Sequence, residues 1–222
     1  FWHHGVQTKQ ALPLTLGHEI SGIVVGGEAN WINKAVIIPA VLPCGECELC
    51  RKGRSNICRN QLMPGNDFNG GFASHIVVPS KFLCPVPDSV LKKYPLEHLA
   101  VIADAISTPY QVVKKSELEQ GDLAIVIGVG GVGVYGALIA KIFGAKVIAL
   151  DLNDEKLNTA KANGVDATLN ITGMDTKAIK ERVKELAKEI KAPKIGWKIF
   201  EISGTKAGQD LVDDFAIAVL AG

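Results

Sequence analysis

Four cysteines fall within fifteen residues, as Cys44-x2-Cys47-x2-Cys50-x7-Cys58. Thiolates at this spacing can close a tetrahedral shell around zinc and leave no position for water, which is the structural kind of site. Gly45 and Gly53 give the backbone room to wrap the ion. An iron–sulfur cluster fits less well, because Cys58 is not followed by proline and the x7 interval departs from ferredoxin runs. The fifth cysteine, Cys84, stands alone in Phe82-Leu83-Cys84-Pro85 and reads as a small buried hydrophobe. An odd, crowded set of five points to a metal site in a reducing cytoplasm, not to a disulfide framework.

A second chemical signal is the run Ile127-Gly128-Val129-Gly130-Gly131-Val132-Gly133, which follows an apolar strand and opens a helix. There the G-x-G-x-x-G pattern is informative: it lets the backbone approach a pyrophosphate at a helix N-terminus. The next strand ends at Asp151, eighteen residues beyond Gly133. A carboxylate there accepts bonds from the adenosine ribose and repels a 2′-phosphate, which favours NAD over NADP. Third is Gly17-His18-Glu19, beside a β-run. A lone histidine is more often structural than a ligand, but Asp104 sits in the otherwise apolar run Leu99–Ile106. A carboxylate there is costly unless paired, used as a helix cap or bound to metal, and the sequence leaves all three open.

The elements that must position these groups divide in two. Up to about Ser80 the chain reads as β-rich, with strands expected at Ile20–Val25, Ala35–Ile38 and His75–Val78. The loop from Val41 to Gly71 between them is long enough to need a staple, which the metal supplies. Helices are expected at Leu96–Ile106 and Pro109–Ser116. Strands then alternate with helices: Leu123–Ile127, Val132–Phe143, Lys146–Leu150, Glu155–Asn163, Ala167–Leu169, Lys177–Lys191, Trp197–Ile202 and Gln209–Leu220. That alternation predicts an α/β fold with a doubly wound parallel sheet. Ile179, Val183, Leu186 and Ile190 mark the buried stripe of the Lys177–Lys191 helix. Its basic residues read as a solvated face laced by pairs such as Glu181–Lys184 and Glu185–Lys188. Leu123–Ala140 is uncharged for 18 residues, but its glycines argue for strand, turn and helix instead of a membrane span.

The 222 residues carry 24 Lys+Arg against 23 Asp+Glu, a net charge of +1 that gives no broad grip on nucleic acid. Arg51, Lys52, Arg54 and Arg59 beside the cysteines are the only support for such a partner.

In this order the motifs resemble the zinc-dependent medium-chain alcohol dehydrogenases, in which a GroES-like catalytic domain precedes a Rossmann domain. The resemblance implies a GroES-like domain over residues 1–108 and a Rossmann domain over 109–222. It implies structural zinc on Cys44, Cys47, Cys50 and Cys58, and catalytic zinc on His18, Glu19 and Asp104. Thr108 is then expected against the nicotinamide, with Gly128, Gly130, Gly131, Val132, Gly133, Asp151, Lys156 and Ser203 around NAD. The partner implied is a small-molecule alcohol, in a homo-oligomer (dimer or tetramer) without nucleic acid or membrane. Longer runs, among them Pro13–Gly22, Pro39–Cys47, Met63–Asp67, Gly70–Ile76 and Ala103–Gln111, resemble a branch of the family that oxidises a ring hydroxyl of an acyl-CoA. The family's first catalytic-zinc ligand, a cysteine upstream of Gly-His-Glu, would fall before Phe1, and four of the expected six Rossmann strands are present. The chain is therefore expected to be an internal piece, inactive alone.

Overall fold

Short β-branched runs between turn formers make the strands of the first half. In the computed structural model, which describes residues 12–193, 197–201 and 208, these are β1 (Ile20–Ile23), β2 (Ala35–Ile38) and β3 (Cys84–Pro85). They form an antiparallel sheet in the order β1-β2-β3, with Ile20 opposite Ile38 and Ile37 opposite Cys84. Every residue of β2 is buried. His75–Val78, expected as a strand, joins no ladder. Its period-two burial survives: Ile76 and Val78 pack toward Ile20, Ile38 and Leu42, while Val77 is 92% exposed. Cys84 is exposed, contrary to expectation, because among the described residues β3 is a two-residue edge strand with no neighbour on its outer side to cover the thiol.

The cysteine loop carries only a one-turn helix, α1 (Glu48–Arg51), and a 3₁₀ turn at Ser55–Ile57. A second short helix, α2 (Asp88–Leu91), follows β3. The helix expected over Leu96–Ile106 is a 3₁₀ helix, Leu96–Ala103, entered after Pro95 and ended by Asp104. The Ser21 hydroxyl on β1 donates to the Leu96 carbonyl at 2.8 Å and pins its start. Residues Phe1–Asp104 form one compact unit and Ala105–Gly222 a second.

The second unit begins with α3 (Ser107–Lys115) and continues as β4 (Leu123–Ile127), α4 (Gly133–Ile142), β5 (Lys146–Asp151), α5 (Asp154–Ala162), β6 (Ala167–Asn170), α6 (Thr176–Glu189) and β7 (Trp197–Glu201). All four strands are parallel, in the order β6-β5-β4-β7. This is the arrangement in which a ligand binds outside the carboxyl end of β4, where strand order reverses. Both faces are covered. Ala124, Val126, Val147 and Ala149 pack with Ala137, Ala140 and Leu157 on one side. On the other, Leu123, Ile125, Ile148 and Leu150 pack with Ile179, Val183 and Leu186 of α6. Strands buried on both faces read as continuous apolar runs, which is why they are plain in the sequence.

Charged residues pin the strand ends. Asp166 accepts from Lys141 Nζ and from the Val147 N–H, each at 2.7 Å, and lies 3.6 Å from Lys146 Nζ. On α6 the ion pairs among the described residues are Arg182–Glu185 and Arg182–Glu189, both 2.9 Å, not the lysine pairs expected. A single guanidinium nitrogen, Nη1, serves both carboxylates. The uncharged run from Leu123 is divided between β4 and α4, and among the described residues no helix is long and apolar enough to cross a membrane. The expected helix Gln209–Leu220 lies outside the described residues.

Candidate metal and cofactor sites

The loop from Val41 folds back on itself through paired bonds between Leu42 and Leu62, 2.8 and 3.0 Å, and so brings Cys58 against the CxxC turns. The four Sγ atoms all lie within 4.8 Å of one another. Individual separations are 3.5 Å for Cys47–Cys50 and Cys44–Cys58, 3.8 Å for Cys47–Cys58 and 3.9 Å for Cys44–Cys50. A tetrahedron of sulfurs about 2.3 Å from zinc has edges of about 3.8 Å. The cage therefore has the size of a zinc site, and these distances are far too long for disulfides. Backbone N–H groups point at the sulfurs: Cys47 N lies 3.3 Å from Cys44 Sγ, and Cys44 N 3.4 Å from Cys58 Sγ. The Glu46 and Cys47 N–H groups pull the Cys44 thiol down to about 6. Burial pushes Cys50 up to about 11. Among the described residues this is the one group of three or more His, Cys, Asp and Glu side chains so gathered.

His18 and Asp104 meet across the first unit, where β1 begins and the 3₁₀ helix ends. His18 Nε2 lies 3.3 Å from Asp104 Oδ2, with both side chains about a third to two-fifths exposed (40% and 34%). A charge-assisted N–H···O bond is shorter, about 2.7–2.9 Å. Nitrogen and oxygen ligands about 2.0–2.1 Å from one tetrahedral zinc lie about 3.3 Å apart. The pair thus fits a shared metal, and Asp104 is partly exposed instead of fully buried. Glu19 adjoins His18 in the chain, just before β1.

A feature missed in the sequence fixes the His18 backbone. Gly17 (φ +100°) is enclosed by Gly65, Gly70 and Phe72, and a methyl group at Gly65 would lie 2.6 Å from the Gly17 nitrogen. The Gly71 N–H donates to the Gly17 carbonyl at 2.9 Å, and Phe72 N–H to Leu16 at 2.9 Å. Asn69 Oδ1 accepts the Thr15 N–H at 3.0 Å. Backbone packs on backbone here, so the clustering of glycines at 65, 70 and 71 was the available signal.

In the second unit, Gly128 takes φ +88° directly after β4 and hands the chain to Val132, which precedes α4. A methyl group at Gly130 or Gly131 would meet no protein atom within 4 Å. Among the described residues neither packing nor a left-handed backbone requires glycine at those two positions, which leaves room for a ligand to approach the backbone closely. Gly133 and Gly136 are buried in α4. Asp151 ends β5, where Oδ2 accepts the Val129 N–H at 2.8 Å and Oδ1 those of Leu152 at 2.8 Å and Asn153 at 3.0 Å. A carboxylate offers about four acceptor positions, so about one remains for a ribose hydroxyl. Lys156 is exposed in the first turn of α5, and Thr108 is exposed in the first turn of α3. Ser203 lies outside the described residues.

Comparison with known proteins agrees with both halves. Residues 1–88 match the alcohol dehydrogenase GroES-like domain, and residues 131–212 match the zinc-binding dehydrogenase family. An alcohol dehydrogenase of Geobacillus stearothermophilus is 34% identical over 181 residues, covering 79% of this chain and 52% of the relative. The crystal structure of galactitol-1-phosphate dehydrogenase from Escherichia coli superposes with a TM-score of 0.78 at 29% identity, over 91% of this chain and 56% of that one. The crystal structure of an NAD-dependent alcohol dehydrogenase gives a TM-score of 0.70 at 30% identity, covering 94% of this chain and 72% of that one. The chain spans about half the length of the curated relatives it matches, 52% and 59% for two of them. With the cysteine cage, the glycine turn and these matches, the chain belongs to the zinc-dependent medium-chain alcohol dehydrogenase family.

Proposed function

We propose that the whole protein is a zinc-dependent dehydrogenase that transfers a hydride from a secondary alcohol to NAD. The observation that carries this reading is the His18–Asp104 separation of 3.3 Å, a metal-ligand spacing in a unit that already has a separate cysteine cage. In this reading Cys44, Cys47, Cys50 and Cys58 hold structural zinc, and His18 and Asp104 hold the catalytic ion with Glu19 beside them. Zinc bound there is a Lewis acid that lowers the pKa of a coordinated hydroxyl, as it lowers that of water to about 7. To ligate through Nε2, His18 must carry its ring proton on Nδ1. The 128–133 turn brings backbone N–H groups and the N-terminus of α4 to the pyrophosphate. Asp151 takes the ribose hydroxyl on its remaining acceptor position and repels a 2′-phosphate. Thr108 would face the nicotinamide, Lys156 would lie by the dinucleotide, and the family resemblance extends that role to Ser203, which lies outside the described residues. The protein would work as a dimer or tetramer in the cytoplasm.

For the substrate, the runs Pro13–Gly22, Met63–Asp67 and Ala103–Gln111 resemble 6-hydroxycyclohex-1-ene-1-carbonyl-CoA dehydrogenase, so we infer a cyclic hydroxyacyl-CoA of anaerobic aromatic breakdown. The relative named galactitol-1-phosphate dehydrogenase supports a second reading, a polyol or simple alcohol. A turnover screen of the whole protein with NAD, offering hydroxyacyl-CoA thioesters, free alcohols and polyols, separates them. The expected result is oxidation of the cyclic thioester well above the rest; preference for a polyol overturns the CoA reading. In the same assay Asp151→Ser should weaken NAD about ten- to a hundredfold, the range for losing bonds to a charged acceptor. Equal wild-type affinity for NAD and NADP would overturn the role of Asp151.

A further inference from the structure

Asp151 is held by the turn that follows it, and that turn is itself held from the next strand. Asn170, the last residue of β6, pairs with Asp151 through the backbone ladder. Its side chain is not needed for that pairing and is spent elsewhere. Asn170 Nδ2 donates to Asp154 Oδ1 at 2.8 Å and lies 3.4 Å from the Leu152 carbonyl, while Oδ1 accepts the Thr172 N–H at 2.9 Å. The Thr172 hydroxyl donates to the same Leu152 carbonyl at 3.2 Å, and the Ile171 N–H to the Asp151 carbonyl at 3.1 Å. The segment so gripped, Leu152 to Asp154, supplies two of the three N–H donors that aim the Asp151 carboxylate. It also starts α5, whose first turn Asn153 caps by accepting the Lys156 N–H at 3.1 Å.

We propose that Asn170 is a positioning residue for the adenosine end of the dinucleotide, acting through the Leu152–Asp154 turn and seconded by Thr172. This rests on the NAD reading given above. The amide matters for its polarity as well as its size, because it presents a donor to the Asp154 carboxylate and an acceptor to the Thr172 N–H. Asn170→Asp keeps the shape and the acceptor but sets two carboxylates within hydrogen-bond distance, so the turn must open. Adding Asp154→Asn returns a donor–acceptor pair with the direction reversed.

The test measures binding of ADP-ribose, NAD and NADP to the whole protein, and kcat at saturating NAD. Asn170→Asp should weaken ADP-ribose about tenfold, the scale of one or two hydrogen bonds, and narrow the preference for NAD over NADP. The kcat at saturating NAD should hardly change. The Asn170→Asp, Asp154→Asn double variant should recover most of the affinity, which a general loss of stability would not allow. Thr172→Val, which keeps the shape and removes one bond to Leu152, should cost about threefold and serves if Asn170→Asp does not fold. Affinity within twofold of wild type in Asn170→Asp, or, where that variant does not fold, in Thr172→Val, overturns the proposal, as does a double variant no better than the single. A wild-type protein that binds no ADP-ribose would instead overturn the NAD reading beneath it.

Discussion

Between Leu42 and Leu62 only Leu42 and Cys58 are buried hydrophobic residues, and neither α1 nor the 3₁₀ turn at Ser55–Ile57 buries anything. In the parallel sheet every residue of β4 is buried, and Val147 through Leu150 of β5 are fully so. The two regions solve the same problem by different means. Fully burying an aliphatic side chain contributes about 1.5–3 kcal/mol, and the sheet has such residues on both faces. The cysteine lobe has almost none, so sulfur ligands closing on an ion would supply much of its order. The difference teaches where each half is vulnerable.

Removing metal should expose the contrast most strongly. A chelator, or Cys44→Ser, is expected to unfold Val41–Gly71 while the second unit keeps its helices and strands. Hydrogen exchange with elemental analysis reads this directly: amides of the lobe lose protection, those of β4 and β5 keep theirs, and the lobe's zinc is lost. A lobe that stays protected without metal would mean that its few buried residues suffice.

The reciprocal experiment truncates the sheet. Ile125 is completely buried against α6, and Ile125→Ala should destabilise the second unit by about 2–5 kcal/mol through lost burial and a cavity. Urea denaturation should show that loss with the zinc content of the cysteine lobe unchanged. Coupled loss of zinc would break the separation between the two regions.

Asp166 gives a smaller, pH-dependent effect within the sheet half. Burial pushes its carboxyl up, but the Lys141 ammonium, the Val147 N–H and Lys146 outweigh that, and its pKa lies below the ordinary value of 3.8. A carboxyl depressed on folding contributes stability that is complete above its unfolded value and is lost as pH falls through the folded one. Asp166→Asn should therefore cost about 1–2 kcal/mol at neutral pH. The gap between wild type and variant should close only below about pH 4. A gap independent of pH would assign the effect to shape, not charge.

The same contrast explains how much could be read in advance. The sheet strands lie close to where apolar runs bounded by glycine or charge set them, because burial on both faces leaves an unbroken signature. The cysteine spacing was legible because one local segment supplies all four sulfurs. What could not be read involves groups brought together from afar. The packing of Gly65 and Gly70 on Gly17 depends on two loops meeting, and His18 finds Asp104 across 86 residues of chain. Among the described residues His75–Val78 has a strand's alternation but no partner in a ladder, and Cys84 is bare because its strand is the last of the sheet. Nor does the sequence show that Asp151 spends most of its acceptor capacity on backbone N–H groups.

The central claim is that His18 and Asp104 hold a second metal, distinct from the ion in the cysteine cage. Zinc content per subunit of the whole protein, measured beside its Asp104→Ala variant, tests this most directly. The account predicts two zinc ions in the wild type and one in the variant, with the cysteine lobe still protected and turnover abolished. Two zinc ions and a near-normal rate in Asp104→Ala would contradict it, and would leave the 3.3 Å contact as an ordinary bond between a histidine and a carboxylate.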